Sequence, residues 1–177
     1  MSRKIGEYEG SARTALCVRV CYNTDMKIHI GADHAGFHLK EFLKKWLLEE
    51  GHEVVDHGAN TENQEDDYPD FIAPVARAIA GDPERSRGVI LGGSGQGEAI
   101  VANRFPKVRA AVYYGGPEQI VTLAREHNDA NILSLGARLL SFPDAKRAVS
   151  LFLMTPFSTQ PRHARRLAKI ENLKSNI

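Results

Sequence analysis

From Met26 onward, short apolar runs alternate with stretches of helical periodicity, and that alternation leaves few folds open. The runs KIHIG, HEVVDHG, GVILGG, RAAVYY and NILSLG each suit one strand and are too short for a helix. Between the first two, Leu39, Phe42, Leu43, Trp46 and Leu47 recur at helical spacing until Gly51 stops the pattern. After the polar loop ANTENQEDD, Pro69 sits where a helix begins, and DFIAPVARAIA runs on to Gly81. Pro74 is expected in the first turn of that helix, where a missing N–H matters little. EAIVANR and PEQIVTLAREH give two further helices, and two more follow, from about Pro143 to Met154 and from about Pro161 to Lys174. Strands alternating with helices imply a parallel sheet covered on both faces. With right-handed crossovers, the expected fold is α/β: a doubly wound, Rossmann-like sheet of five parallel strands in flavodoxin-like order. The expected organisation is a single domain over residues 26–177 with a C-terminal helical extension, preceded by a disordered N-terminal extension over residues 1–25.

Composition narrows the function. A net charge of +1 argues against non-specific nucleic-acid binding, which needs a strong basic surplus. No apolar run approaches the roughly 20 residues of a membrane span. TALCVRVCY is broken by Arg19 and lacks the apolar stretch of a signal peptide. Cys17 and Cys21 both fall in the N-terminal segment, as a C-x3-C pair without further ligands nearby. The chain from Met26 contains no cysteine, which excludes thiol chemistry there and makes a cytoplasmic setting the expectation.

Ligands of doubly wound sheets bind beyond the carboxyl ends of the strands, so the residues just after each strand carry the information. Asp33 and His34 follow the first strand. Asp33 suits a helix cap, but could also accept hydrogen bonds from a polyol, and His34 could meet a phosphate or hydroxyl. The turn GGSGQGE follows the third strand. It lacks the last glycine of a dinucleotide fingerprint and the G-K-[ST] of a Walker A loop. A nest of N–H groups for a developing oxyanion fits it better. Glu98 falls in the first turn of the next helix, where a side chain leans back towards that nest; a dipole-favoured surface glutamate is the alternative. AREHNDAN is expected to bring His127 and Asn128 to the same rim, although a histidine there could simply cap a helix. Arg162 and Arg166 share a helix face with His163 beside them, which suits a phosphate dianion or merely a solvated basic helix. Arg138, directly after the fifth strand, is harder to explain as surface. Together these residues imply a phosphorylated polyol and proton abstraction next to a carbonyl.

GADHAGFHLK, DDYPDF, GGSGQGE, AREHNDAN, GAR and RHARR, in this order and spacing, resemble the type B ribose-5-phosphate isomerases, the group that includes galactose-6-phosphate isomerase subunits. The resemblance spans Met26 to Ile177 and implies aldose–ketose isomerisation through a cis-enediolate, with neither metal nor cofactor. Many members carry a cysteine base at the start of the glycine turn, where this chain has Gly92. It is similar instead to the branch with a glutamate at the end of the turn, which makes Glu98 the base. The resemblance further implies that His127 opens the furanose ring, helped by Asp33. Asn128 and the backbone of Gly93, Ser94, Gly95 and Gly97 would hold the enediolate, Tyr68 would line the sugar site, and His34, Arg138, Arg162, His163 and Arg166 would meet the phosphate. It also implies a homodimer or tetramer with sites built by both subunits. Within the class, a hexose 6-phosphate such as allose or galactose is the alternative substrate, and a non-catalytic phosphosugar-binding subunit is the alternative outside it.

Without a cysteine after Met26, and with no His/Asp group of metal-ligand spacing expected on the rim, the implied isomerisation is predicted to survive dialysis against a chelator and thiol alkylation. Inactivation by chelator, reversed by one divalent ion, would refute this.

Overall fold

The protein is described by a computed structural model over residues 26–174. The expected disordered extension, and the Cys17–Cys21 pair within it, lie outside the described residues. Strands β1 (Lys27–Ala32), β2 (Glu53–Asp56), β3 (Ser86–Gly92), β4 (Ala110–Tyr113) and β5 (Ile132–Gly136) form one sheet in which all pairings are parallel. Helices α1 (Phe37–Glu49), α2 (Tyr68–Gly81), α3 (Gln96–Ala102) and α4 (Gln119–Asn128) make the crossovers. After β5 come α5 (Phe142–Met154) and α6 (Pro161–Lys174).

The strand order is β2-β1-β3-β5-β4. The doubly wound class is as expected from the sequence, but the last two strands exchange the places that flavodoxin-like order would give them. Burial explains the exchange. Every residue of β5 is buried, as a central strand requires, whereas the short β4 is only half-buried over its first three residues and takes the edge. A crossover of constant hand advances one way along the sheet on one face and the other way on the opposite face. The step back from β4 to β5 accordingly puts α4 on the side of α1. Two cores result. On one face Ile28, Ile30, Val89, Leu91 and Leu133 pack with α1, α4 and α5. On the other, Ile90 and Ile132 pack with Ile72, Val75, Ala76 and Ile79 of α2.

Pro74 lies inside α2 rather than in its first turn, because the helix already starts at Tyr68, with Pro69 in the opening turn. The missing N–H removes one helical hydrogen bond. The full burial of Ile72, Val75, Ala76 and Ile79 holds the helix in place regardless. No helix among the described residues is long and apolar enough to cross a membrane.

A polar cluster fixes the loop that leads from β2 towards α2. Lys40 is 0% exposed, and its Nζ donates to both Asp56 oxygens at 2.9 and 2.7 Å. Lys44 Nζ reaches Asp56 Oδ2 at 2.6 Å, and the Gly58 N–H donates to Asp56 Oδ1 at 2.9 Å. Burial opposes ionisation of Asp56, but the hydrogen bonds from Lys40, Lys44 and Gly58 outweigh it and hold the carboxyl below its ordinary value. A depressed carboxyl contributes stability that is complete above the unfolded-state pKa and lost as pH falls through the folded one. Asp56→Asn is predicted to cost about 3 kcal/mol at neutral pH, because it leaves the buried Lys40 with only the partly exposed Glu41 carboxylate, 2.7 Å away, as counter-charge. In urea titrations the deficit should begin to shrink as pH falls below about 4, where the unfolded-state carboxyl protonates, and should be lost only below the lower folded-state value. An unchanged urea midpoint would contradict this.

Candidate active site

The crossovers from β1 and β3 leave on opposite faces of the sheet and open a crevice between the carboxyl ends of these neighbouring strands. Asp33 and His34 emerge at the end of β1, and the turn Gly92–Glu98 emerges at the end of β3. Gly95 caps α3 in a left-handed conformation (φ 77°), which glycine adopts without strain. The Gly95 carbonyl accepts from the buried Ser134 hydroxyl at 2.6 Å, which ties the turn to β5. Ser134 did not figure in the sequence reading. Its signal is a hydroxyl in the middle of an otherwise apolar strand. The turn is also hooked at its start, by the Ala137 N–H to the Gly92 carbonyl (2.8 Å) and the Arg138 N–H to the Gly93 carbonyl (3.2 Å).

Glu98 sits in the first turn of α3 and is only 4% exposed. Its carboxylate folds back over Gly92, so that a Cβ built on Gly92 would stand 1.7 Å from Glu98 Oε1. A side chain at position 92 and this carboxylate therefore occupy the same space. Burial pushes the Glu98 carboxyl above its ordinary value, partly offset by its own backbone N–H and reinforced by the charge of Asp33. Asp33 does cap the chain: its Oδ1 accepts from the Ala35 and Gly36 N–H groups at 3.0 and 3.2 Å. The capping reading of Asp33 holds, and the capping carboxylate also acts electrostatically on Glu98. Tyr68, Gly93, Ser94, Gly97, Glu98, Arg138 and Leu139 line a hollow of about 410 Å³.

The His34 imidazole is within electrostatic reach of Arg138, which lines this hollow. Its Nδ1 is 2.7 Å from Asp66 Oδ1, which also accepts the His34 N–H at 3.1 Å. Asp66, part of what the sequence presents as a featureless acidic loop, was not expected at the site. Its arrival corrects a second expectation: Asp33, His34 and Asp66 each place one ligand-type atom within 4.8 Å of the others, a spacing that a metal site would also show. Here the cap on Asp33 and the His34–Asp66 pair account for the closeness.

His127, Asn128, Arg162, His163 and Arg166 are elsewhere. In a parallel sheet the crossover helices run against the strands, so the end of α4 returns to the rim where strands begin. Asp129, the residue after α4, pairs at 2.7 Å with Arg109, which precedes β4. The expectation of one common rim is therefore corrected. The length of β5, roughly 16 Å at about 3.3 Å per residue, separates the two groups. At this far rim the His127 and His163 rings meet edge-on with centroids 4.2 Å apart. His163 is 1% exposed and lies 2.7 Å from the Arg162 Nε–H, so it braces Arg162 and His127 and is not presented to a phosphate as expected. Burial, followed by His127 and Arg162, holds its pKa below the ordinary value. That keeps the ring neutral and able to accept from Arg162.

The sequence profile of the Ribose/Galactose Isomerase family matches residues 28–170. Ribose-5-phosphate isomerase B of Mycobacterium tuberculosis (strain H37Rv) is 42% identical over 142 residues, covering 80% of this chain and 86% of the relative. The Escherichia coli K12 protein of the same name is 37% identical over 144 residues, 81% and 93% of the two chains. Among solved structures, ribose-5-phosphate isomerase B from Mycoplasma genitalium with bound ribulose-5-phosphate superposes with a TM-score of 0.82 at 33% identity, covering 86% of this chain and 98% of that one. The Thermotoga maritima enzyme gives 0.77 at 44% identity, covering 83% and 98%. Sequence, fold and the crevice at the ends of β1 and β3 agree, and the chain belongs to the ribose/galactose isomerase family.

Proposed function

We propose that this protein interconverts D-ribose 5-phosphate and D-ribulose 5-phosphate, with Glu98 as the base that moves a proton between C2 and C1. The observation that carries the reading is the Glu98 carboxylate, buried over Gly92 at the head of the glycine-rich turn. Glu98 takes the C2 proton of the open-chain aldose, and the electron pair moves into a cis-enediolate. The O2 hydroxyl proton passes to O1 within the cis-enediolate, and the same carboxyl returns its proton to C1, which leaves the C2 carbonyl of the ketose. The N–H groups of the Gly93–Gly97 turn face the oxygens on which negative charge develops. A carboxyl raised by burial is a stronger base than a solvated one, provided it is ionised at the working pH. His34 and Arg138 receive the phosphate from the same chain. Names of relatives supply the substrate: several are ribose-5-phosphate isomerases, and the cysteine-free body suits a cytoplasmic enzyme.

Glu98→Gln is predicted to lower kcat by about 10²–10⁴ with little change in KM. In the wild type, kcat/KM should fall as pH drops through a value above the usual carboxylate range. Kinetics with ribose 5-phosphate and allose 6-phosphate, together with deuterium exchange at C2, check both the base and the substrate. Near-normal exchange in the variant would remove Glu98 from the reaction. A higher kcat/KM for allose 6-phosphate would favour a hexose phosphate enzyme.

Ring opening by His127 requires a second copy of the chain, because His127, Asn128, Arg162 and Arg166 stand at the far rim of their own sheet. In a two-fold dimer, one chain's Glu98 rim meets the other chain's His127 rim, and this happens twice. Glu98→Gln and His127→Ala dimers, each inactive, are predicted to recover about a quarter of wild-type activity after subunits reassort, since half the dimers are hybrids with one intact site of two. No recovery in a mixture shown to contain hybrids would place each site within a single chain.

A further inference from the structure

We propose that Asp66 is a positioning residue for phosphate recognition: it holds the His34 ring with Nδ1 turned to the protein and Nε2 left to donate to the substrate phosphate beside Arg138. The inference rests on the phosphosugar reading of this site. Asp66 grips His34 twice through one oxygen, at the backbone N–H (3.1 Å) and at Nδ1 (2.7 Å), which sets both the start of the turn and the plane of the ring. The Asp66 side chain is 8% exposed, and its other oxygen, Oδ2, is buried without a protein partner among the described residues. A carboxylate so placed gains more from a cationic imidazole than from a neutral one. With Nδ1 engaged, Nε2 is the ring nitrogen available to a ligand.

The groups acting on His34 come from three segments. Asp66 lies in the loop before α2, Asp33 is the preceding residue, and Arg138 follows β5. The hydrogen bond from Asp66 is the largest influence and raises the His34 pKa; burial opposes it, the charges of Asp33 and Asp66 add to it, and Arg138 subtracts. The cation is therefore present below this raised value and lost as pH rises through it. Phosphate binding inherits the same direction.

Histidine-labelled NMR, with His34 assigned through His34→Ala, tests the pair without any substrate. The His34 midpoint is expected above about 6.5 in the wild type and lower in Asp66→Asn, which loses the charged hydrogen-bond partner. KM for ribose 5-phosphate in Asp66→Asn should rise about 5–10-fold at pH 7.5 and approach the wild-type value near pH 6, with kcat within about twofold. In a His34→Ala background the same change should leave KM unaltered. Identical midpoints, or a rise in KM by one factor at every pH, would overturn the proposal. If the wild type does not turn over ribose 5-phosphate, the functional reading falls separately. Binding of inorganic phosphate, followed by His34 shifts at pH 7.5, then decides: weaker binding in Asp66→Asn supports the role of Asp66, and equal binding overturns it.

Discussion

Because all five strands point the same way, each strand delivers its last residue to one rim while each crossover helix delivers its last residue to the other. The polar residues of this chain divide along that line. Asp33, His34, Glu98 and Arg138 come after strands; His127 and Asn128 close α4, and Arg162 and Arg166 lie on α6. No side-chain rotation closes a gap the length of a strand, so a site that needs both groups needs two chains. The far rim is built to stay where it is. Arg125, buried, donates to the Ala130 carbonyl and to Asp129, and Asp129 is shared with Arg109, which also reaches Glu171 on α6. This run of charges joins α4, the start of β4 and the C-terminal helix into one stiff unit around His127.

At the near rim, acids and bases interleave. Asp66 bonds the His34 ring, Asp33 acts on both His34 and Glu98, and the Arg138 N–H donates to the Gly93 carbonyl at the start of the glycine turn. Burial and Asp33 favour the protonated form of Glu98, and Asp66 with Asp33 favours the protonated form of His34, so one carboxylate links the two groups.

The sequence made most of this legible through periodicity. Strand and helix runs gave the class, and the residues after β1, β3 and β5 pointed to the crevice. What escaped it is physical in each case. The order of β4 and β5 depends on comparative burial, which two similar apolar runs do not reveal. Pro74 was assigned to a first turn because the strength of its buried neighbours was not visible. Asp66 looked like one acid among many, since only the folded loop aims it at His34. Reading His127 on the crevice rim treated the end of a helix as though it were the end of a strand. His163, next to Arg162, read as a phosphate ligand, and its burial against Arg162 and His127 shows a brace.

The overlap between Glu98 and the absent side chain of Gly92 also constrains the history open to this site. Any residue larger than glycine at position 92 displaces the carboxylate, so substitutions at 92 and 98 are strongly epistatic. The clashing atoms are the far end of the Glu98 side chain, so a side chain enters at 92 as that carboxylate turns away. The glycine thus keeps open the space that the carboxylate fills, and whatever stands at position 92 decides where the side chain of Glu98 can point.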